Sequence, residues 1–292
     1  DLPLTITGAR QNSMDQLRGC SDSMTDSRTT TQRRVSIRFV RCAASRERRV
    51  LLPKSGFDEN DHTIGDVTPR TAAELAKFID HTLLAPEATR DEVLATCGDA
   101  VAWRVAAVCI SPSWLPLPAG VMRDGVRVCT VAGFPSGAHT SEAKANEAAI
   151  AIRNGAEEID MVVNLGIVRA GDWKAVEADV RAVRNAIDLA ARGQTLKVIC
   201  ESAALSDDEL RNTCRAAVAG GADLVKTSTG FHKAGGATER AVAIMRETVG
   251  DGVGVKASGG MRTTAAALAM IAAGATRIGA SATREILAGM PS

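Results

Sequence analysis

From about residue 67 to the C-terminus, apolar residues alternate between two patterns: short β-branched runs, and longer alanine-rich stretches with amphipathic spacing. The short runs predict strands at Lys77–Thr82, Arg104–Ile110, Val126–Phe134, Glu158–Asn164, Leu196–Ser202, Asp223–Thr229, Gly252–Ser258 and Thr276–Ser281. Between them, stretches such as "HTSEAKANEAAIAIRNG" and "SDDELRNTCRAAVAGG" predict helices. Each contains a hydroxyl residue suited to accept from free N–H groups, has acids in its first turn and ends on glycine. Strands alternating with helices imply βαβ units and a parallel sheet. A weak repeat, "NGAEEIDMVVN", "GGADLVKTST" and "AGATRIGAS", shows the same helix end, short loop and strand recurring. Eight strands, each followed by a helix, predict an α/β closed barrel in one domain, residues 67–292.

Composition narrows the function without naming it. Lys+Arg 35 against Asp+Glu 34 leaves a net charge of +1, so no overall field favours nucleic acid or an anionic membrane as a partner. Cys20, Cys42, Cys97, Cys109, Cys129, Cys200 and Cys214 are spread without any C-x-x-C, and the histidines are equally scattered. That argues against a disulfide framework or a zinc site, and suits a reduced, cytoplasmic setting. No apolar run is long enough to span a bilayer. Residues 1–66 differ in texture, with an arginine- and serine-rich stretch at Thr31–Val50. The stretch has the composition of a transit peptide, a basic arm or a disordered segment read from a start placed too far upstream, and the last is the expectation.

In a barrel, residues at the carboxyl ends of the strands surround the site. The predicted ends carry Asp80, Cys109, Asp160, Asn164, Glu201, Lys226, Lys256 and Ser281, with Lys197 at the start of the fifth strand. Lys226 and Lys256 stand out, because an ammonium in a β-branched strand is costly unless it reaches water or a partner. Sharing one pocket, each opposes the other's protonation, and one amine becomes a neutral nucleophile. Alternatively, each pairs with a carboxylate such as Asp160 or Glu201. Glycine-rich turns follow: "STGFHKAGGAT", "SGGMRTT" and "IGAS". Gly259, Gly260, Gly279 and Ser281 suit a phosphate site built on backbone N–H groups, with Arg262 in the first turn of the next helix as added charge. Asp160 suits proton transfer with a lysine, and Asp80 beside His81 suits a strand-end anchor. His139 and His232 sit in turn-like sequence, and the three tryptophans have no spacing for stacking bases.

The motifs "FIDHTLL", "VCISP", "TVAGFPSG", "EIDMVVNLG", "LKVICES", "GADLVKTSTGF", "GVKASGGMRT" and "RIGAS" occur in the order found in the deoxyribose-phosphate aldolases, from about residue 70 to about 287. The chain resembles that family. The resemblance implies a (β/α)8 TIM barrel and a class I aldolase, needing no metal or other cofactor, that reversibly cleaves 2-deoxy-D-ribose 5-phosphate to acetaldehyde and D-glyceraldehyde 3-phosphate. It implies Lys226 as Schiff-base lysine, Lys256 as the neighbour that lowers its pKa, and Asp160 as the acid that moves protons with a water. Gly230, Gly259, Gly260, Gly279 and Ser281 resemble the phosphate-binding positions, and Asp80 and Lys197 supporting polar residues. The family also suggests a homodimer or homotetramer.

Three departures alter the expectation. Phe231 and Ala282 stand where some members have a lysine and a second serine, which shifts phosphate binding toward backbone and Arg262 or Lys233. The chain has no tyrosine, so a C-terminal tyrosine aid to proton transfer is absent. Two rival functions share parts of this pattern: a lysine aldolase or transaldolase for another phosphorylated sugar, and a non-catalytic barrel binding phosphate or nucleic acid.

Overall fold

The computed structural model describes residues 68–291, and the extension expected at residues 1–66 lies outside the described residues. Eight parallel strands close into a barrel in sequence order, as the alternation predicts. They are β1 (Ile79–Leu83), β2 (Ala107–Ile110), β3 (Arg127–Ala132), β4 (Glu158–Val162), β5 (Thr195–Ile199), β6 (Leu224–Lys226), β7 (Gly254–Ser258) and β8 (Arg277–Ala280). The first helices are α1 (Ala72–Ala76), α2 (Arg90–Ala102), α3 (Ser141–Arg153) and α4 (Leu165–Arg169). They are followed by α5 (Trp173–Ala190), α6 (Asp207–Ala219), α7 (Glu239–Val249), α8 (Thr264–Ala272) and α9 (Thr283–Ala288).

Side-chain chemistry explains these boundaries. At α2 and α6, Thr89 and Ser206 accept from the backbone of Glu92 and Glu209, whose carboxylates reach back to the cap backbone. This reciprocal box satisfies helix-end donors that would otherwise lack partners. The strands are buried on both faces. On β4, Ile159 and Met161 join the large apolar shell under the helices, while Glu158 and Asp160 face charged partners inside the barrel. The same alternation puts Leu196 and Val198 in the shell and Lys197 inside.

A buried ion pair ties α3 to α5. Lys144 Nζ donates to Asp179 Oδ2 at 2.7 Å and to the Val162 carbonyl at 2.8 Å, with the lysine side chain fully buried. This contact crosses the outer layer and is separate from the charges inside the barrel. Replacing Lys144 by Met removes the partner and leaves a buried carboxylate uncompensated. The Lys144→Met variant is expected to lose about 3–5 kcal/mol in urea unfolding; a loss below about 1 kcal/mol would show that the pair contributes little.

Candidate active site

The barrel interior is charged, and each element supplies its part at a set register. Lys226, Lys256 and Arg277 are lateral neighbours on β6, β7 and β8. Lys197 on β5 lies beside Asp160 on β4, and Asp80 comes from β1. Asp160 is the hub. Its Oδ2 accepts from Lys226 Nζ at 2.7 Å and Lys256 Nζ at 2.8 Å, and its Oδ1 from Lys197 Nζ at 2.9 Å. Asp80 Oδ2 accepts from Lys256 at 2.5 Å and Lys197 at 3.2 Å, while Asp80 Oδ1 accepts from Arg277 Nη1 at 2.6 Å. Glu158 closes the base of the network against Lys197, Arg277 and Arg127.

The electrostatics follow from burial working against mutual charge. Burial alone would raise the Asp160 pKa, but Lys197, Lys226 and Lys256 hold it well below the usual carboxylate range. Burial works the same way on Asp80, and Lys197, Lys256 and Arg277 again prevail to lower its pKa. For the bases the sign reverses: burial disfavours the charge on Lys197 and Lys256, yet Asp160 and Asp80 hold both above the ordinary lysine value. Lys256 is therefore a fixed cation beside Lys226 in this arrangement.

A cavity of about 490 Å³ opens over the carboxyl ends of the strands, and Lys226 lies at its edge. Its lining brings together Gly230, Gly259, Gly260, Arg262, Gly279 and Ser281. Asp160, Lys256, Asp80 and Lys197 lie beneath Lys226 within the barrel and are not part of the lining. Of Arg262 and Lys233, Arg262 lines the cavity and Lys233 does not. Gly259 and Gly260 have φ of +88° and +82°, a region favouring glycine. Gly279 has an additional role: a Cβ there would come within 3.1 Å of Lys256 Cε and 3.0 Å of Ser258 Cβ. Its bare backbone makes room for the lysine stem.

Several sequence expectations are corrected. Lys197 is the third residue of β5 and fully buried inside the barrel, because the strand begins at Thr195. Arg262 precedes Thr263, the N-cap of α8, and is not in that helix's first turn. Asn164 caps α4, accepting from Gly166 and Ile167 N–H. Glu201 has no lysine partner among its hydrogen bonds; it accepts from Thr229 N–H and from Thr229 Oγ1 at 2.6 Å, fixing the loop after Lys226. Its backbone is left-handed, with φ +57°, a strained choice for a non-glycine residue. Asp80 and His81 point to opposite faces, and His81 Nδ1 bonds Thr283 Oγ1 at 2.9 Å.

Arg277, Glu158, Cys129 and Thr229 are not among the site residues expected from the sequence, and Phe231 is expected only as a departure from the family pattern. Arg277 and Glu158 each open a strand beside polar residues, where a charged side chain normally signals solvent. Cys129 donates to Asp160 Oδ1 at 3.2 Å, and burial holds its thiol pKa up. Among the described residues, two sets of side chains have atoms near enough to share an ion: Cys109, Cys129 and Asp160, and Asp80, Cys129 and Glu158. In both, the Lys197 ammonium already contacts Cys129 and the carboxylates, occupying the place a metal cation would take.

Comparison with known proteins bears on this arrangement. Residues 75–289 match the model of the DeoC/LacD family aldolases. The chain belongs to that family. It is 54% identical over 222 residues to the deoxyribose-phosphate aldolase of Kocuria rhizophila, covering 76% of this chain and 99% of the relative. It is 55% identical over 230 residues to that of Mycolicibacterium paratuberculosis, covering 77% and 100%. Among solved structures, the tetrameric deoxyribose phosphate aldolase of Aeropyrum pernix is similar at 31% identity and a TM-score of 0.68, covering 75% of this chain and 92% of that one. The aldolase QR15 is similar at 32% identity and a TM-score of 0.69, covering 74% and 95%. The chain is accordingly an aldolase, a carbon–carbon lyase.

Two measurements test the geometry. Gly279→Ala should crowd Lys256 and lower kcat by between about tenfold and a hundredfold, the scale of a misplacement of about 1 Å near reacting atoms; unchanged kcat would show the space is not needed. The depressed carboxylates contribute stability above their unfolded pKa near about 4, lost as pH falls through their lower folded values. The raised lysines contribute below their unfolded pKa near about 10.4, lost as pH rises through their higher folded values. Melting temperature should therefore decline in acid, and Asp80→Asn should make that decline less steep; an equal slope would contradict the assignment.

Proposed function

We propose that this aldolase cleaves 2-deoxy-D-ribose 5-phosphate to acetaldehyde and D-glyceraldehyde 3-phosphate through an imine on Lys226. One observation carries the reading: Lys226 reaches from the cavity onto Asp160, beside Lys256 and opposite a glycine-rich rim with Arg262. The names of the similar proteins support the same substrate.

The chemistry starts with the Lys226 amine giving up its proton. Arg127, Lys197, Lys226, Lys256 and Arg277 face only Asp80, Glu158 and Asp160, so this excess of cations favours loss of a proton from the lysine at the cavity. The free amine attacks C1 of the open-chain sugar, and loss of water gives an iminium. The C2–C3 bond then breaks, its electron pair passing into the iminium to form an enamine, while the C3 hydroxyl proton leaves toward the Asp160 carboxylate with a water as carrier. C3 becomes the carbonyl of glyceraldehyde 3-phosphate. Protonation of the enamine at C2 and hydrolysis release acetaldehyde and restore Lys226. The iminium is the electron sink, so the sequence of steps needs no metal.

At the other end, Gly259, Gly260, Gly279 and Ser281, with Gly230 and Arg262, receive the phosphate. Binding there aligns the reacting end, turning remote affinity into orientation. Phe231, half exposed and packed edge-to-face on Phe134 at 5.2 Å between ring centroids, gives this rim an apolar wall. Buried free thiols at Cys97, Cys109, Cys129, Cys200 and Cys214 suit a reducing cytoplasm. Ile150 and Leu189, exposed on α3 and α5, suit burial between copies in a dimer or tetramer. Among the described residues, no helix is long and apolar enough to cross a membrane.

Borohydride reduction with acetaldehyde, followed by peptide mapping, should place an ethyl group on Lys226. An adduct on another lysine, or none, would overturn the assignment. Lys226→Met should abolish turnover, by about 10⁴-fold or more, as loss of a covalent nucleophile does. Acetaldehyde release from the deoxy sugar phosphate but not from hexose or heptulose phosphates separates this reading from another sugar aldolase, and chelators should leave the rate unchanged.

A further inference from the structure

We infer that Arg277, at the base of the barrel and away from the substrate cavity, is a positioning residue that keeps the interior cationic enough for Lys226 to act as a free amine near neutral pH. The inference rests on the imine reading of Lys226.

Its first support is register. Lys226, Lys256 and Arg277 occupy matched positions on three successive strands, so β6, β7 and β8 present a cationic wall. The carboxylates come from elsewhere, Asp80 from β1 and Glu158 and Asp160 from β4. The second support is connectivity. Arg277 Nη1 bonds Asp80 Oδ1 at 2.6 Å and lies 3.3 Å from Glu158 Oε2. Asp80 uses its other oxygen for Lys256, which bonds the same Asp160 oxygen as Lys226. A continuous chain of charge-assisted hydrogen bonds thus runs from Arg277 through Asp80, Lys256 and Asp160 to the amine in the cavity.

The third support is place. Arg277 does not line the substrate cavity; its side chain, 17% exposed, lines a separate cavity with Arg127 and Arg184. Arg277 can therefore influence chemistry without touching substrate. Arginine suits this role better than lysine because it stays charged and bonds two carboxylates at once.

The charged and titratable groups around this chain come from every strand. β1 supplies Asp80, β2 Cys109, β3 Cys129 and Arg127, β4 Glu158 and Asp160, β5 Lys197, and β6 to β8 the three cations of the wall. Without the guanidinium, the excess of positive charge in the inner set falls by one, and a protonated Lys226 is opposed less strongly. Proton loss from Lys226 would become harder, and imine formation would require higher pH.

The test follows the rate of Lys226 modification by acetaldehyde and cyanoborohydride across pH, which avoids the titration of a substrate phosphate. In Arg277→Gln the acid limb should move up by about one pH unit, equivalent to about tenfold at pH values below the limb. The rate should recover on the alkaline side. Arg277→Lys should stay within about half a unit of wild type, as should the charge-balanced Glu158→Gln/Arg277→Gln double variant. A purely structural role predicts an equal loss at every pH with an unmoved limb, and that result overturns the proposal. An equal shift in Arg277→Lys and Arg277→Gln also overturns it. If the Gln variant does not fold, the double variant and Arg277→Lys decide by the same criterion: a limb displaced by a full unit in either is contrary. Failure of wild-type protein to form an adduct on Lys226 would refute the imine reading itself, which keeps the two failures distinct.

Discussion

The structure depends on one carboxylate shared by three ammonium groups inside a closed barrel. Asp160 shares its two oxygens among Lys197, Lys226 and Lys256, all essentially out of reach of solvent. Charges buried in this way are costly to desolvate, and the cost is offset only where geometry lets every ion meet several partners. Here the partners come from different strands, so the ion network requires the strands to hold their register. A one-residue slip would turn Asp160 toward the helices and bring Ile159 or Met161 inside. Fold specificity and chemistry thus rest on the same contacts.

That network also divides the barrel by depth. At the base, Arg277, Arg127 and Glu158 form a fixed set of ion pairs, and above it Asp80 and Lys256 lie among partners on every side. Lys226, the last residue of β6, is where the dry interior meets the cavity. It has carboxylate contact behind it and open space in front. Lys256 is a charged neighbour because Asp80 and Asp160 stabilise its ammonium. It stands beside Lys226 as a fixed cation, held by the same Asp160 oxygen.

Backbone choices complete the site. Gly279 makes space for the Lys256 stem, while Gly259 and Gly260 take positive φ where the β7 loop lines the cavity. Behind the β6 loop, buried Glu201 adopts a left-handed backbone and holds Thr229, whose hydroxyl accepts from Phe231 N–H at 3.1 Å. The apolar wall at the rim is therefore tied to the end of β5. These parts have separate duties, but each is placed by the strand it follows.

The alternation of short β-branched runs with capped helices was enough to determine eight strands and their order around a barrel, since period and capping are local properties of the chain. The motifs around Lys226, Lys256 and Asp160 were equally legible, because charged residues within apolar strands need partners wherever they lie. Which partners they meet was decided by closure. Arg277 and Asp80 are 197 residues apart, and no local spacing announces that their side chains meet. The same holds for Glu201, read as a possible lysine partner from its strand-end position but turned by its backbone toward Thr229. Lys197 looked like a strand-start residue, yet the ladder begins two residues earlier and places it among the acids. Sequence determined the elements and the chemistry available to them; only tertiary structure, through strand register and the cost of leaving a buried charge alone, decided which charges share a partner and which lysine faces the cavity.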